Sequence, residues 1–286
     1  MLAFLFSRLN WTGFFDQLSH VRHAYLLPAV FAYLLVQVAC AYRWKVLAEL
    51  QGLSAPMKKF VLYYYIGMFL NLFLPSSIGG DIGRCYLLSK GRAHMKQAVL
   101  SVLADRGIGF AAMTAIGLAA LSQSSIPVIP PALRWVLCIL GGLLLLVFLI
   151  PFSARSRIET AWPWLSPVMN YWKSPGLLVC LFSLSLVLQA SVIGLHILIG
   201  EAVGLALPPG YYFVFIPLVI AVSMIPISLN GLGLREGAYV FFLRQAGVPI
   251  EAGMAFGLSW FLILFASGMV GGLAWIASPE RLTGMK

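Results

Sequence analysis

The sequence predicts an all-α polytopic membrane protein, with about five full crossings and two re-entrant helical hairpins that Gly and Pro interrupt. The composition favours this class: 61% of the 286 residues are apolar and 10% are charged, whereas soluble domains have about 45 to 50% apolar and about 25% charged residues. The mean hydropathy of +0.93 is spread over the whole length. Several helices must therefore cross the bilayer and satisfy their backbone hydrogen bonds internally. We expect residues 1–286 to form a single transmembrane domain.

The predicted elements differ in how they meet the membrane. Residues 1–22 mix large apolar side chains with charged ones such as Asp16 and Arg22, which predicts an amphipathic helix in the interface; a truncated first crossing is the alternative. Two apolar stretches, 59–75 and 211–229, run into clusters of Pro, Gly, Ser or Asn and predict broken helices. Windows of about 19 apolar residues predict full crossings at 24–47, 97–121, 133–152, 176–200 and 253–277.

The two broken stretches are related in sequence. Residues 75–84 and 226–235 share the pattern P-x-S-x-x-G-x-x-x-R without a gap. Gly/Pro-interrupted segments at corresponding positions of two halves point to the binding site of a transporter. The predicted halves and their motifs are 24–152 with 71–84, and 176–277 with 226–236.

Positive charge is predicted to lie on one side of the membrane if both broken segments turn back. The opposite loops are nearly free of charge, because 122–132 has no charged residue and 201–210 has only Glu201. The positive-inside rule makes the basic side cytoplasmic. The hairpins then enter from opposite sides, as an inverted repeat requires. The basic groups on this side are Arg43, Lys45, Lys58, Lys59, Lys90, Arg92, Lys96, Arg155, Arg157, Lys173, Arg281 and Lys286.

Several function classes are excluded or disfavoured. The net charge of +10 is dispersed among apolar runs and forms no basic stripe, so we expect no nucleic-acid partner. The four cysteines are far apart and have no nearby histidine set, so neither a zinc site nor a disulfide framework is indicated. There is no nucleophile elbow, P-loop or metalloprotease motif. We expect no cofactor, no metal and no enzyme activity, and we treat His20, His23, His94 and His196 as structural.

The first motif provides the first candidate binding site, formed by Ser77, Gly79, Gly80, Asp81 and Arg84. If a half-helix begins near Gly80, its backbone N–H groups face the middle of the membrane and favour an anion. Arg84 lies on the same helix face as Asp81 and could present its planar guanidinium to a phosphate. The alternative is that Asp81 caps the helix and pairs with Arg84, so that each neutralises the other.

The second motif repeats this arrangement with Ser228, Asn230, Gly231, Arg235 and Glu236. Because Arg84 and Arg235 hold equivalent places, we expect both to contribute to one headgroup site. The alternative is a structural pair of Arg235 with Glu236 that anchors the helix.

Asp105 and Arg106 lie inside the predicted 97–121 crossing. A charge there is costly and usually faces a partner or a wet cavity, which predicts a polar pathway. The alternative is snorkelling toward the end near Lys96.

These motifs resemble a known family. Residues 71–75, running into Gly79-Gly80-Asp81 and Arg84, together with 101–106 and 230–236, resemble the flippase-like transmembrane domain of lysylphosphatidylglycerol synthases. The Arg43-Trp44 pair is similar to that family's pattern too, and the resemblance covers about residues 10–277. It implies an inner-membrane protein that moves or handles lipids, with site residues that include Asn71.

The resemblance has limits. The synthases carry a soluble aminoacyl-transferase domain after the membrane part, and residues 1–286 contain no counterpart, so lipid synthesis is not implied. The family often has a further first crossing and a charged residue in the last span, where this sequence has Ser259-Trp260-Phe261.

The leading hypothesis is a translocator of an anionic phospholipid or a polyprenyl-phosphate-type lipid. The alternatives are an accessory protein that scaffolds an envelope-lipid synthesis enzyme, and a polyprenyl-phosphate-dependent transferase, which nine acidic residues disfavour.

Overall fold

The computed structural model describes residues 10–74, 78–89, 94–123, 131–162, 165–224 and 231–278, which fold into α-helices and short 3₁₀ segments without a β-strand. The predicted all-α membrane fold is confirmed. The α-helices are α1 (Trp11–Ser19), α2 (Leu26–Glu49), α3 (Met57–Phe73), α4 (Ile78–Ser89), α5 (Met95–Gln123), α6 (Pro131–Ala161), α7 (Ser166–Met169), α8 (Pro175–Val203), α9 (Pro209–Ser223), α10 (Leu234–Gln245) and α11 (Ile250–Ala277).

Within the described part of the chain, four helices are long and apolar enough to cross a membrane: α2 with the 3₁₀ turn before it, α5, α8 and α11, in segments of 27 to 29 residues. At about 1.5 Å per residue they exceed the hydrocarbon thickness of about 30 Å. A fifth span is present if α6 is counted, because its arms Leu137–Pro151 and Ser153–Ala161 meet at 79°. Proline has no N–H to donate within a helix, so Pro151 marks a bend that the 133–152 prediction did not include.

The two broken stretches each form a pair of short antiparallel helices. α3 and α4 have 17 and 12 residues, and α9 and α10 have 15 and 12. In the second pair the Tyr211 hydroxyl, near the start of α9, donates to the carbonyl of Phe242, near the end of α10, over 2.6 Å. At the other end of the pair, Gly231 lies beside Ser223. All four arms are shorter than the stretch of about 20 residues that a full crossing typically needs.

The N-terminal segment is a short amphipathic helix. α1 has nine residues, and Asn10 accepts a hydrogen bond from the Gly13 N–H as its cap. Phe14 is buried in the core whereas Trp11 and Phe15 are exposed. Nine residues are too few for a crossing. The predicted interfacial segment also includes residues 1–9, which lie outside the described part of the chain.

Helix packing in the first half recurs in the second half with the partners exchanged. α3 packs on α11 and α9 packs on α5; α4 packs on α5 and α10 packs on α11. α2 contacts α3, as α8 contacts α9, and α2 and α8 pack against each other. α2 and α8 are antiparallel, since Arg22 N donates to Ala202 O at one end and Arg43 reaches Ser185 toward the other.

The connections are sorted between two ends of the bundle. At one end Gln51 donates to the carbonyl of Pro167, which joins the segment after α2 to the segment after α6. At the other end the Asn10 N–H donates to Glu251, and Gln17 donates to the carbonyl of Val203. The N-terminal helix therefore lies at the end opposite the basic loops.

Candidate functional site

A cavity of about 330 Å³ lies between the long helices and the two hairpins. Both halves line it, because Arg84 comes from the first hairpin and Arg235 from the second. The charged and amide side chains in its wall are those of Gln37, Arg43, Asn71, Asp81, Arg84, Asp105, Arg106, Gln189 and Arg235. The structure thus brings together most of the described residues that the sequence nominates.

Alternating charges along one wall form a continuous chain of ion pairs. Arg43 Nε lies 2.8 Å from Asp105 Oδ1, and Arg84 Nη1 lies 3.5 Å from Asp105 Oδ2. Arg84 Nη2 lies 2.6 Å from Asp81 Oδ1, and Arg106 Nε lies 2.8 Å from Asp81 Oδ2. Each carboxylate is therefore shared by two guanidinium groups, and the chain links α2, α4 and α5.

The start of α4 is fixed by its own hairpin partner. The helix begins at Ile78, two residues before the predicted start, and the Gly80 N–H donates to Asn71 Oδ1 over 2.7 Å. A Cβ on Gly80 would overlap the carbonyl oxygen of Gly67 on α3, and one on Gly79 would overlap Leu74. The glycines and Asn71 thus hold the two arms together, and of these residues Gly67 and Asn71 also line the cavity.

Arg84 is held by aromatic rings as well as by carboxylates. Its guanidinium carbon lies 4.5 Å from the ring centre of Tyr64 and 4.9 Å from that of Trp44. Trp44 is itself fixed because its indole N–H donates to Ser101 Oγ over 3.1 Å. Cation–π contacts strengthen when the cation is desolvated, and Arg84 is only 4% exposed.

Arg43 is a site residue that the sequence reasoning missed. Charge counting places it among the basic groups that flank the first crossing, but it is buried inside α2, where its Nη1 donates to Ser185 Oγ on α8 over 2.9 Å. A Cβ on Gly109 would lie only 3.4 Å from its Nη2 atom, so this glycine leaves room for the guanidinium. The available signal was an arginine within an apolar span.

Asp105 and Arg106 occupy different environments. Asp105 is 1% exposed between Arg43 and Arg84, which does not fit the snorkelling alternative, since its carboxylate points at partners inside the bundle. The Arg106 side chain is 33% exposed while its Nε donates to Asp81.

In the second hairpin, Arg235 pairs with its neighbour. Its Nε and Nη2 donate to Glu236 Oε1 over 3.1 and 2.8 Å, and Glu236 Oε2 accepts the Gly233 N–H over 2.6 Å. Gly231 and Gly233 have φ of +77° and +87°, in the region that favours glycine. This geometry matches the alternative in which Arg235 and Glu236 form a structural pair that anchors the helix, and Arg235 lines the cavity as well. Ser77, Ser228 and Asn230 lie outside the described residues.

The wall near the second hairpin contains a further polar pair. Tyr239 lines the cavity, and its hydroxyl lies 2.8 Å from His196 Nε2. His196 Nδ1 lies 2.8 Å from the carbonyl of Val192, which can only accept. A neutral imidazole therefore donates a hydrogen bond from its Nδ1–H to the Val192 carbonyl and accepts a hydrogen bond from the Tyr239 hydroxyl at Nε2.

Comparison with known proteins identifies the family. The family model of the lysylphosphatidylglycerol synthase TM region matches residues 1–272. The chain belongs to this family. Searches of curated proteins and of solved structures gave no match.

For this member of the lysylphosphatidylglycerol synthase TM family, membership indicates a multi-pass membrane protein that is related to lipids. The arrangement of its cavity suits recognition of an anion: around it, the described residues contribute four guanidinium groups and three carboxylates. Within the described ranges no group of three His, Cys, Asp or Glu side chains could hold a metal ion. The guanidinium and carboxylate groups of the cavity offer ionic and hydrogen-bonding recognition.

Proposed function

We propose that this protein moves an anionic lipid, a phospholipid or a polyprenyl-phosphate-type lipid, between the leaflets of the bilayer. The observation that carries the proposal is the single cavity that both hairpins line with arginine. Its volume of about 330 Å³ is at the lower end of the range for small-molecule sites. That size suits a headgroup, while the hydrocarbon chains remain in the bilayer.

The exchange of partners in helix packing supports the transport mechanism. The packing of α3 on α11 in the first half corresponds to that of α9 on α5 in the second half, and the packing of α4 on α5 corresponds to that of α10 on α11. The equivalent helices α2 and α8 are antiparallel, as inverted repeats require. We infer that the two halves rock about the shared cavity and expose it to one leaflet at a time.

The protein is proposed to lie in an inner membrane with its basic end in the cytoplasm. Lys58 and Lys59 begin α3, Lys96 lies in the first turn of α5, and Lys173 precedes α8, all at the end where Gln51 meets Pro167. The positive-inside rule gives this end to the cytoplasm. The proposed partner is the lipid itself, and no catalytic step is part of the proposal.

Reconstitution tests the proposal. Purified protein is placed in liposomes that carry an acyl-labelled fluorescent phosphatidylglycerol, and dithionite reports the labelled lipid in the outer leaflet. We expect the reducible fraction to rise from about half in protein-free liposomes to nearly all, since transport exposes both leaflets, and Arg84→Ala to abolish the rise.

The matched control is Arg155→Ala, because Arg155 pairs with Glu159 on α6 over 3.0 Å and does not line the cavity. Its transport should equal that of the wild type. Equal reducible fractions with and without wild-type protein would reject translocation and favour the accessory role.

A further inference from the structure

Gln37 is a buried amide that has no hydrogen-bond partner among the described residues. It lines the cavity from the middle of the 24-residue α2 and is only 7% exposed. No hydrogen bond joins its side chain to another described group, although buried polar groups are nearly always hydrogen-bonded. Its amide atoms are not fully enclosed by protein, so they face the space of the cavity.

A second glutamine holds the corresponding place in the other half of the chain. Gln189 lies at the middle of the 29-residue α8 and lines the same cavity. The sequence interval from Gln37 to Gln189 exceeds the interval between the shared motifs, 75–84 and 226–235, by one residue. Because α2 and α8 pack against each other, the two amides occupy nearly equivalent positions on the facing helices of the two halves.

Helix packing does not account for Gln37. Gln189 Nε2 donates to the carbonyl of Gly109 on α5 over 3.0 Å, which is the kind of contact by which polar side chains join membrane helices. This bond uses the amide nitrogen and leaves the amide oxygen of Gln189 able to accept. Gln37 makes no such contact between helices within the described part of the chain, so its partner must come from the contents of the cavity.

Neutral and ionic groups lie in different parts of the cavity along α2. Tyr33, Gln37 and Cys40 line it at the spacing of one helix face. Arg43 follows Gln37 by about 9 Å along the axis, at about 1.5 Å per residue. A phosphate joined to one hydroxylated unit, with a hydrogen bond of about 3 Å at each end, can span this distance.

We propose that Gln37 and Gln189 form a subsite for the hydroxyl groups of an anionic headgroup, such as a glycerol or a sugar attached to the phosphate. This inference rests on the proposed function and specifies the headgroup that it leaves open. An amide and a hydroxyl suit each other because both groups donate and accept and neither is charged. The arginines of the cavity bind the phosphate, and the glutamines bind the hydroxylated part.

The test compares two short-chain lipids of equal charge. Dioctanoyl phosphatidylglycerol and dioctanoyl phosphatidylpropanol each carry one negative charge and differ in the headgroup hydroxyls. Calorimetry measures the binding of each lipid to the detergent-solubilised full chain. We expect phosphatidylglycerol to bind at least about tenfold more tightly, a difference of about 1.4 kcal/mol, because an analogue without the hydroxyls leaves buried polar groups unpaired. Equal affinities, or tighter binding of phosphatidylpropanol, would overturn the inference.

Gln37→Leu tests the residue itself. Leucine has a similar size but makes no side-chain hydrogen bond, so phosphatidylglycerol should bind about tenfold more weakly while phosphatidylpropanol binding changes little. Gln97→Leu on α5 is the matched control, since Gln97 does not line the cavity, and it should leave the affinity ratio unchanged.

Thermal unfolding separates this role from packing. The midpoint of Gln37→Leu should not fall, because the lost amide has no hydrogen bond to the described part of the protein. An affinity ratio that stays at the wild-type value in Gln37→Leu would overturn the inference, and a lower midpoint beside it would assign Gln37 to packing.

Two further measurements separate the possible sources and failures. Glycerophosphoglycerol, the headgroup of phosphatidylglycerol without its acyl chains, should not displace the lipid at equal concentration; full displacement would mean that the site takes a water-soluble ligand and would overturn the lipid assignment. A preference for phosphatidylglycerol in binding without movement between leaflets would retain this inference and reject the proposed function. Movement between leaflets with equal affinities for the two lipids would do the reverse.

Discussion

Asp105 is the residue whose surroundings most constrain the structure. It is 1% exposed and accepts from both Arg43 and Arg84. Removing one member of a buried ion pair leaves a charge without compensation, which costs about 3 to 5 kcal/mol. We therefore expect Asp105 to be needed for folding as well as for the charge of the cavity.

The first prediction is that Asp105→Asn lowers the thermal stability of the purified protein by several degrees, because two arginines lose a shared carboxylate. Thermal unfolding followed by tryptophan fluorescence in detergent measures it. Glu159→Gln, which removes a carboxylate from the partly exposed Arg155 pair, should change the midpoint little, as surface ion pairs contribute about 0 to 1 kcal/mol. A wild-type midpoint for Asp105→Asn would refute the structural role.

The second prediction is that Arg106→Gln reduces transport while the protein stays abundant in the membrane. Its side chain is one-third exposed, so its loss leaves less buried charge without a partner than the loss of Asp105 does. Specific transport per reconstituted molecule, with abundance measured by immunoblot, is the readout. Reduced abundance with normal specific transport would assign Arg106 to folding instead.

Single residues were predictable from sequence where a charge interrupts an apolar run. Asp105 and Arg106 were nominated in this way and Arg84 by the motif of the first hairpin, and all three meet in one chain of ion pairs. The contact of Arg43 with Asp105 was not predictable, because 62 positions separate them and helix packing alone brings them together. The positive-inside rule also placed Arg43 among the basic groups of the cytoplasmic loops, because the rule counts charges near helix ends and takes no account of whether they are buried.

At the scale of elements, glycine determines how closely the helices approach. A Cβ on Gly271 of α11 would overlap the backbone carbonyl of Tyr65 on α3, and one on Gly268 would meet Leu72. Small residues allow membrane helices to pack by close backbone contact. The four-residue spacing of Gly268 and Gly272 is typical of helix packing in membranes, and the structure identifies the first hairpin as the partner.

The third prediction is that Gly271→Ala destabilises the protein by about 1 to 3 kcal/mol, the usual cost of overpacking. The carbonyl of Tyr65 is backbone and cannot turn aside, so the two helices must separate. Gly194→Ala on α8 is the control, since its Cβ would meet nothing within 4 Å. Denaturant unfolding in detergent compares both variants with the wild type, and equal midpoints for the two would contradict the close α3–α11 contact.

The hairpins themselves could be predicted because Pro and Gly interrupt otherwise apolar segments in both halves. The exact start of α4 and the bend of α6 could not. The start of α4 depends on Asn71, because its side chain accepts a hydrogen bond from the Gly80 N–H. Nothing in the sequence around Asn71 indicates this contact. The bend of α6 depends on how the arms around Pro151 pack, since proline within a membrane helix is tolerated with or without a sharp bend.

For the whole molecule, the arrangement of loops at two ends gives a topology that labelling can test. The fourth prediction is that, in a background without Cys40, Cys85, Cys138 and Cys180, Ser166→Cys reacts with an impermeant maleimide only from the cytoplasm and Ser122→Cys only from outside. Both serines are exposed. Intact cells and inverted vesicles give the two directions of access. Labelling of both positions from the same face would reject the topology.

The relation between the halves could be predicted from the shared motif, but the shared cavity could not. Sequence similarity between 75–84 and 226–235 gives no distance, and both Arg84 and Arg235 could have been neutralised by Asp81 and Glu236 far apart. In the structure Arg84 pairs with Asp81 and Arg235 pairs with Glu236, as the alternatives of a structural role expected. Both arginines also lie in the wall of one cavity.

The most direct measurement is therefore a double-mutant cycle on the two equivalent arginines. Phosphatidylglycerol binding and transport are measured for the wild type, Arg84→Lys, Arg235→Lys and the double variant in the same liposomes. Lysine keeps the charge but loses the planar fork, so each single change should weaken headgroup binding by about 1 to 3 kcal/mol. Residues that contact one ligand depart from additivity, whereas independent sites add within about 0.5 kcal/mol. We expect a clear coupling energy between Arg84 and Arg235; strict additivity, or unchanged transport in the double variant, would contradict a single headgroup site built from both halves.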